Sequence, residues 1–362
     1  MHRLIHTAQA LVDEVAEVPN LPARGQNVMA TAVNRYAASA VNILVAAARS
    51  GATAVHAGAV GTGPNADLIR ETLAAEHVAI VSPPVEDLDT GICFVMVEPS
   101  AERTFVTTLG AERHISLESL MTSQPAAGDL VCVSGYSLVG STRDPLLAFL
   151  EALPEGVEVV LDPGAIFAGL PAPVRDRMLA LTATWTSNAE EATQLTGWTG
   201  MDETSAAVAQ RVGGAVVIVR DGAKGCFVRD GDSAAYVRGY PQTPVDTNGA
   251  GDCHTGILLA GRLAGLSWHE AAVRANAGAA MAEKGAGSRT SPNGCSTACT
   301  LARRRIRPAV HARGGVCAMR DSNWEQNTPC AVFIARNNIP KPSAPSAQRS
   351  PANAPRLMSA QK

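Results

Sequence analysis

Apolar and polar positions along residues 1–290 alternate between two rhythms, short β-like runs and longer helical ones. Runs at 54–59, 130–134, 157–161, 184–187 and 215–220 predict strands. Segments at 42–49, 65–76, 144–153, 189–196, 203–212 and 252–264 predict helices. Strand followed by helix, repeated, predicts an α/β fold. It has three layers, with helices covering both faces of a mostly parallel central sheet. Ligands of such a sheet bind beyond the carboxyl ends of its strands.

A hairpin-like segment and the tail depart from that rhythm. Residues 91–98 and 103–108 read as two strands joined by Pro99-Ser100-Ala101-Glu102, a hairpin signal. A lone hairpin is only marginally stable, so this one needs something to cover. A lid over a cleft, a dimer interface and a structural flap all satisfy that need. Near the start, Ala10-Leu11-Val12-Asp13 reads as the close of a first apolar strand. From Ser291 onward the periodicity is lost. Arg303-Arg304-Arg305-Ile306-Arg307 is followed by a Pro/Ser/Ala-rich end over 340–361. Residues 291–362 therefore read as a disordered or atypical tail, a composition that an altered reading frame would also produce.

Composition narrows the class. A hydrophobic share of 46% with 17% charge fits a soluble globular chain with a sizeable core. No apolar run approaches the ~20 residues that span a bilayer, and the start lacks a continuous apolar signal segment. The net charge of −3 conceals a division. The tail holds 11 Lys/Arg against 2 Asp/Glu, leaving 19 against 31 in residues 1–290. An acidic body argues against nucleic acid as its main partner. The eight cysteines form no C-x-x-C pair and have no histidines at zinc spacing, which suits buried thiols in a reducing cytoplasm.

The chemistry concentrates at Val245-Asp246-Thr247-Asn248-Gly249-Ala250-Gly251-Asp252, which enters an apolar helical segment. The first N–H groups of a helix lack internal acceptors, and the dipole adds about half a positive charge there. Gly249 and Gly251 let bare backbone approach a phosphate. Asp252 would repel that phosphate, so its presence makes sense if it takes the proton of an attacking hydroxyl. A second glycine-rich segment, Gly61-Thr62-Gly63-Pro64-Asn65-Ala66 with Asp87 downstream, imitates a dinucleotide fingerprint. It does not follow the first strand, which counts against that reading.

The run 246–252, followed by Thr255-Gly256, resembles the second signature of the ribokinase-like (PfkB) carbohydrate kinase family, and further motifs follow the family's order over about residues 5–290. The resemblance implies a ribokinase-like domain over 1–290, with a small β lid from strands about 13–38 and 90–108. It implies sugar contacts from Asp13, Gly25 and Asn42. Asn42 ends Ala37-Ala38-Ser39-Ala40-Val41-Asn42, where the family carries glycines at the first two positions. It implies nucleotide contacts from Asn188, Arg220, Gly222, Lys224, Gly225 and Asn276. Glu191 would support Mg²⁺ through water, and Asp246 with the 283–288 loop a monovalent cation such as K⁺. Asn188 and Glu191 also read as a helix cap and its capping-box acid.

Together these imply ATP-dependent phosphorylation of a hydroxyl of a sugar or sugar-like substrate in the cytoplasm. Asp252 would act as general base, and the amides of Gly249, Ala250 and Gly251 as the anion hole. Ser134-Gly135-Tyr136 has no glutamate nearby where ribokinase carries a substrate-binding one, which counts against ribose. Two alternatives stay open, a nucleoside kinase of the same fold and a non-catalytic binding homologue. Sparse aromatics, 4% of residues, favour a sugar over a stacked nucleobase. A homodimer through the lid strands is a family expectation.

Overall fold

The computed structural model describes residues 2–100, 102–241 and 249–282. The chain opens with β1 (Arg3–His6), β2 (Ala10–Glu17) and β3 (Ala32–Ser39), then α1 (Ala40–Arg49), β4 (Thr53–His56) and α2 (Pro64–Ala75). β5 (Ala79–Ile80), β6 (Ile92–Val97) and β7 (Arg103–Thr107) precede α3 (Leu117–Met121). Regular alternation follows through β8 (Leu130–Ser134), α4 (Arg143–Glu151), β9 (Glu158–Asp162), α5 (Ala172–Leu181) and β10 (Thr184–Asn188). Next come α6 (Ala189–Thr196), α7 (Met201–Arg211), β11 (Val216–Arg220), β12 (Gly225–Asp230) and β13 (Ser233–Arg238). Two helices close the described part, α8 (Ala250–Leu263) and α9 (Trp268–Ala282).

Nine strands form the main sheet in the order β13-β12-β11-β10-β9-β8-β1-β4-β5. All neighbours pair in parallel except β11–β12 and β12–β13, an antiparallel edge. Side chains alternate between faces with period two, so each interior strand feeds two cores. Leu4, Cys132 and Ile218 pack with α1, α8 and α9 on one face. Their neighbours Ile5, Val131, Val133, Val217 and Val219 join Phe149, Trp185 and Leu195 on the other. The result is the expected three-layer α/β arrangement. A second sheet, β3-β2-β6-β7, has its own small cluster of Val15, Cys93 and Val95.

The expected strand ending at Asp13 needs correction. The core strand is Arg3–His6, and the chain leaves the main sheet before Ala10. Thr7 N–H and Oγ1 still donate to the Cys132 carbonyl of β8, both at 3.1 Å, and the next amide, Ala8 N–H, turns back to His6 Nδ1 at 3.2 Å, where the chain leaves the sheet. The apolar run 10–13 begins the long strand β2 of the second sheet, and Asp13 lies within it, opposite Tyr36 and Cys93. The stretches around 91–98 and 103–108 pair antiparallel as β6 and β7. Helix α5, with prolines at its start and little amphipathic contrast, was not anticipated. The basic tail from 291, Asp246 and the 283–288 loop lie outside the described residues.

Helices α1 and α8 pack closely because Gly256 presents no side chain. A Cβ there would collide with the Ile43 carbonyl and stand 2.7 Å from the Ala46 methyl. Overpacking a tight contact costs about 1–3 kcal/mol, so Gly256→Val is expected to lower the denaturation midpoint markedly. Gly169→Ala is the control, since its Cβ meets nothing within 4 Å. Its effect should stay within about 0.5 kcal/mol. Equal midpoints for the two variants would refute the packing argument.

Candidate functional site

The carboxyl ends of β9, β10 and β11 bring Asp162, Asn188 and Arg220 to one edge of the main sheet, where α8 begins. Gly249 starts that helix with φ of 72°, a left-handed turn that glycine adopts without strain. Ala250, Gly251 and Asp252 then form the first helical turn, whose N–H groups have no acceptor within the helix. Asn42 on α1 donates through Nδ2 to Asp252 Oδ2 at 2.9 Å. Burial pushes the Asp252 carboxyl up to about 6. The Asn42 bond opposes that rise, the nearby Asp162 adds to it, and Arg220 opposes it.

Arg220 is held from three sides. Its Nη1 donates to Thr186 Oγ1 and Thr255 Oγ1, both at 3.0 Å, and lies 3.5 Å from Asp162 Oδ2. Gly251 lies alongside the guanidinium: a Cβ on it would come within 3.7 Å of Nη2. Asn188 caps α6 and shares a capping box with Glu191, whose backbone N–H reaches Asn188 Oδ1 at 2.8 Å while Asn188 N–H reaches Glu191 Oε2 at 2.9 Å. Burial raises the Glu191 carboxyl, Asp162 adds to the effect, and Arg220 opposes it.

A cavity of about 240 Å³ opens beside these groups. Its wall includes Asn188, Arg220, Gly222, Gly225, Ala250 and Gly251, joined by His254 and Asn276. Five of the six expected nucleotide contacts therefore share one cavity. Lys224 does not: its side chain is 78% exposed and lies 3.5 Å from Asp221. Asn276 is buried, with Nδ2 donating to the carbonyls of Val237 at 3.1 Å and Arg238 at 3.3 Å. Its Oδ1 therefore faces His254 Nε2, 3.1 Å away, which makes that nitrogen the proton carrier. Burial lowers the His254 pKa to about 3, aided by Arg220, so the ring is neutral.

The remaining expected residues stand elsewhere. Asp13 is on β2, close enough to Cys93 to add to the burial that raises that thiol. Gly25 sits in an exposed turn between β2 and β3, with φ of 79° and open space around it. The methyls of Ala37 and Ala38 are buried, and Ala37 belongs to the core against α1. The dinucleotide-like segment is closed to phosphate: Asp89 accepts from the amides of Asn65 at 3.1 Å and Ala66 at 3.0 Å, the start of α2. Sequence reasoning missed Asp162, Thr186, His254 and Thr255 as neighbours of Arg220 and Asp252. His254 and Thr255 follow Asp252 directly, and that adjacency was the available signal.

The family model for pfkB family carbohydrate kinases matches residues 1–293. The chain belongs to this family. An uncharacterized sugar kinase of Escherichia coli is 31% identical over 273 residues, covering 74% of this chain and 84% of that protein. A ribokinase of Haemophilus influenzae is 30% identical over 293 residues, covering 76% and 91%. Among solved structures, an adenosine kinase of Sinorhizobium meliloti superposes with a TM-score of 0.73 at 18% identity, over 84% of this chain and 99% of that one. At that identity the likeness is one of fold, which solved ribokinases share. As a pfkB family member the chain is a carbohydrate kinase, and ATP binding follows from the family. No helix among the described residues is long and apolar enough to cross a membrane.

The raised Asp252 pKa has a consequence for stability. A carboxyl whose pKa moves from 3.8 to about 6 on folding holds its proton more tightly when folded. Stability from this group is therefore present below pH about 4 and lost as pH rises through about 6. Asp252→Asn should stabilise the protein at pH 7.5, by something on the order of 2 kcal/mol, and much less at pH 4.5. Denaturation at the two pH values measures the difference. A variant less stable at pH 7.5 than wild type would refute the electrostatic account.

Proposed function

We propose that the chain transfers the γ-phosphoryl group of ATP to a hydroxyl of a sugar or sugar-like alcohol, with Asp252 as general base. The observation carrying this reading is the position of Asp252. It stands in the first turn of α8, whose residues Ala250 and Gly251 line the cavity, and its pKa near 6 leaves it ionised yet basic at neutral pH. The acceptor oxygen attacks the γ-phosphorus and its proton passes to Asp252, while the bond to the β-phosphate oxygen breaks and ADP leaves. The amides of Gly249, Ala250 and Gly251 face the charge that develops on the migrating group. Arg220, fixed by two threonine hydroxyls, adds a positive charge beside them.

Asn188, Gly222, Gly225 and Asn276 line the proposed ATP cavity, and the exposed Lys224, next in sequence to the wall residues Ala223 and Gly225, is the proposed phosphate contact. Mg²⁺ needs few protein oxygens when phosphates and waters supply the others. The carboxylates of Glu191 and Asp162 flank Arg220 and fit that demand; the metal would neutralise phosphate charge. Asn42 holds Asp252 and is placed to meet the acceptor, with Asp13 and Gly25 contributing from the second sheet as a lid. Asp246 remains the proposed K⁺ ligand. A sugar is favoured over a nucleoside because two relatives of 30% identity or more are named an uncharacterized sugar kinase and a ribokinase. Cytoplasmic placement agrees with the buried thiols of Cys93, Cys132 and Cys226. Pairing of two copies through the second sheet would cover Phe94, Phe105 and Val106, which are exposed there.

ATP consumption measured over D-ribose, D-fructose, other pentoses and hexoses, and adenosine is expected to reveal a sugar substrate. With that substrate, Asp252→Asn should lower kcat by about 10²–10⁴. Because the ionised carboxylate is the active form, wild-type kcat/KM should fall as pH drops through about 6, and this acid limb should disappear in the variant. Turnover near wild type in Asp252→Asn would remove the residue from its role. ATP binding without transfer to any acceptor would favour a non-catalytic homologue.

A further inference from the structure

Glu112 is a buried carboxylate, 2% exposed, that lies outside the cavity and outside every role assigned above. Its two oxygens hold two backbone amides. Oε2 accepts from Gly91 N–H and Oε1 from Gly110 N–H, each at 2.8 Å. Gly91 immediately precedes β6, and Gly110 lies three residues beyond the end of β7. One side chain thus ties together both roots of the β6–β7 hairpin. The roots touch backbone to backbone: a Cβ on Gly110 would collide with Gly91 N and stand 2.6 Å from the Asp89 carbonyl.

The tie continues in two directions. Toward the body, Asp89 accepts from the first amides of α2 and from Thr90 N–H at 2.8 Å, and Ala111 N–H donates to the Asp89 carbonyl at 3.0 Å. Asn65 Nδ2 donates to the Thr90 carbonyl at 2.8 Å, and Asn65 Oδ1 accepts from Arg35 on β3. Toward the second sheet, Val12 N–H donates to the Gly91 carbonyl at 3.3 Å, one residue before Asp13. Gly91 is therefore gripped by Glu112 through its N–H and grips β2 through its carbonyl. Any shift of Gly91 moves the strand that carries Asp13.

We infer that Glu112 is a positioning residue, whose carboxylate clamps the hairpin roots at Gly91 and Gly110 and so sets the placement of Asp13 over the acceptor sugar. The inference rests on the proposed function, in which the second sheet acts as lid and Asp13 meets the substrate. A carboxylate suits the task because it offers two acceptors and no donor, and charge-assisted bonds to amides are strong. Glutamine keeps the shape but turns one oxygen into an NH₂ group that faces an N–H.

The test is Glu112→Gln in the full chain, read by hydrogen exchange and by kinetics. Exchange at Ile92–Val97 and Arg103–Thr107 should quicken about tenfold or more, while Leu130–Ser134 and Glu158–Asp162 stay protected. With whichever of the pentoses, hexoses or adenosine assayed above the wild type phosphorylates fastest, the acceptor KM should rise about 10- to 100-fold. The KM for ATP should stay within about twofold. Unchanged exchange in the hairpin overturns the inference. So does faster exchange throughout with both KM values rising alike, which marks a merely structural role. If Glu112→Gln does not fold, Gly110→Ala, which forces the roots apart with Glu112 intact, is expected to give the same split. A wild-type chain that phosphorylates none of the pentoses, hexoses and adenosine assayed above defeats the proposed function instead, and the exchange readout still decides whether Glu112 holds the hairpin.

Discussion

The hydrogen bond from Asn42 to Asp252 joins two helices whose separation decides where the chemistry stands. α1 and α8 meet on one face of the main sheet, and Gly256 lets their backbones approach at Ile43. Gly256 is four residues, about one helical turn, from Asp252, and Ile43 adjoins Asn42. A wider spacing would carry the α8 N-terminus away from Asn42 and leave the carboxylate without its donor. The apolar cluster shared by Val41, Leu44, Cys253 and Ile257 is thus the support for a polar contact at its edge. Packing fixes the distance, and the distance fixes the environment that raises the carboxyl.

Around that contact the charges are balanced locally. Arg220 serves Asp162 by direct approach and acts on Glu191 and Asp252 through space. A guanidinium beside a helix N-terminus is unfavourable taken alone, because both ends are positive. Asp162 offsets part of that, and Thr186 and Thr255 occupy Nη1 without adding charge. The arrangement suits an anion entering at Gly251, where the guanidinium and the first-turn amides converge. His254 fits the same balance: a charged imidazole would add a second cation, and burial together with Arg220 keeps it neutral against the opposing Asn276 bond.

The parts legible in the sequence were those with a local cause. Helix α6 was placed at its observed bounds because Asn188, Glu191 and Gly197 mark both ends by short-range bonds. Helix α8 was found two residues late, since a glycine N-cap carries no side chain to announce it. The first strand was misread because its identity depends on partners at Thr53 and Leu130, far along the chain, whereas the more apolar run 10–13 belongs to another sheet. The site divided the same way. Gly249 to Asp252 stood out as a motif, and Asn188, Arg220 and Asn276 followed from the family resemblance. Asp162, Thr186 and Thr255 became visible only when sheet register and helix docking brought them to one guanidinium.

At Asn188 and Glu191 one set of bonds meets a structural demand and fits the proposed chemical one. The capping box uses Glu191 Oε2, and its bond to Asn188 N–H favours the charged form. Burial and Asp162 act against that form and prevail, so the carboxyl is raised. A cation arriving near Asp162 and Glu191 would relieve both unfavourable influences at once, since it replaces lost hydration and screens one carboxylate from the other. The cap holds the side chain still whether or not a cation is present. The capping role and the proposed metal-supporting role therefore do not compete here: the first supplies the fixed geometry that the second would require.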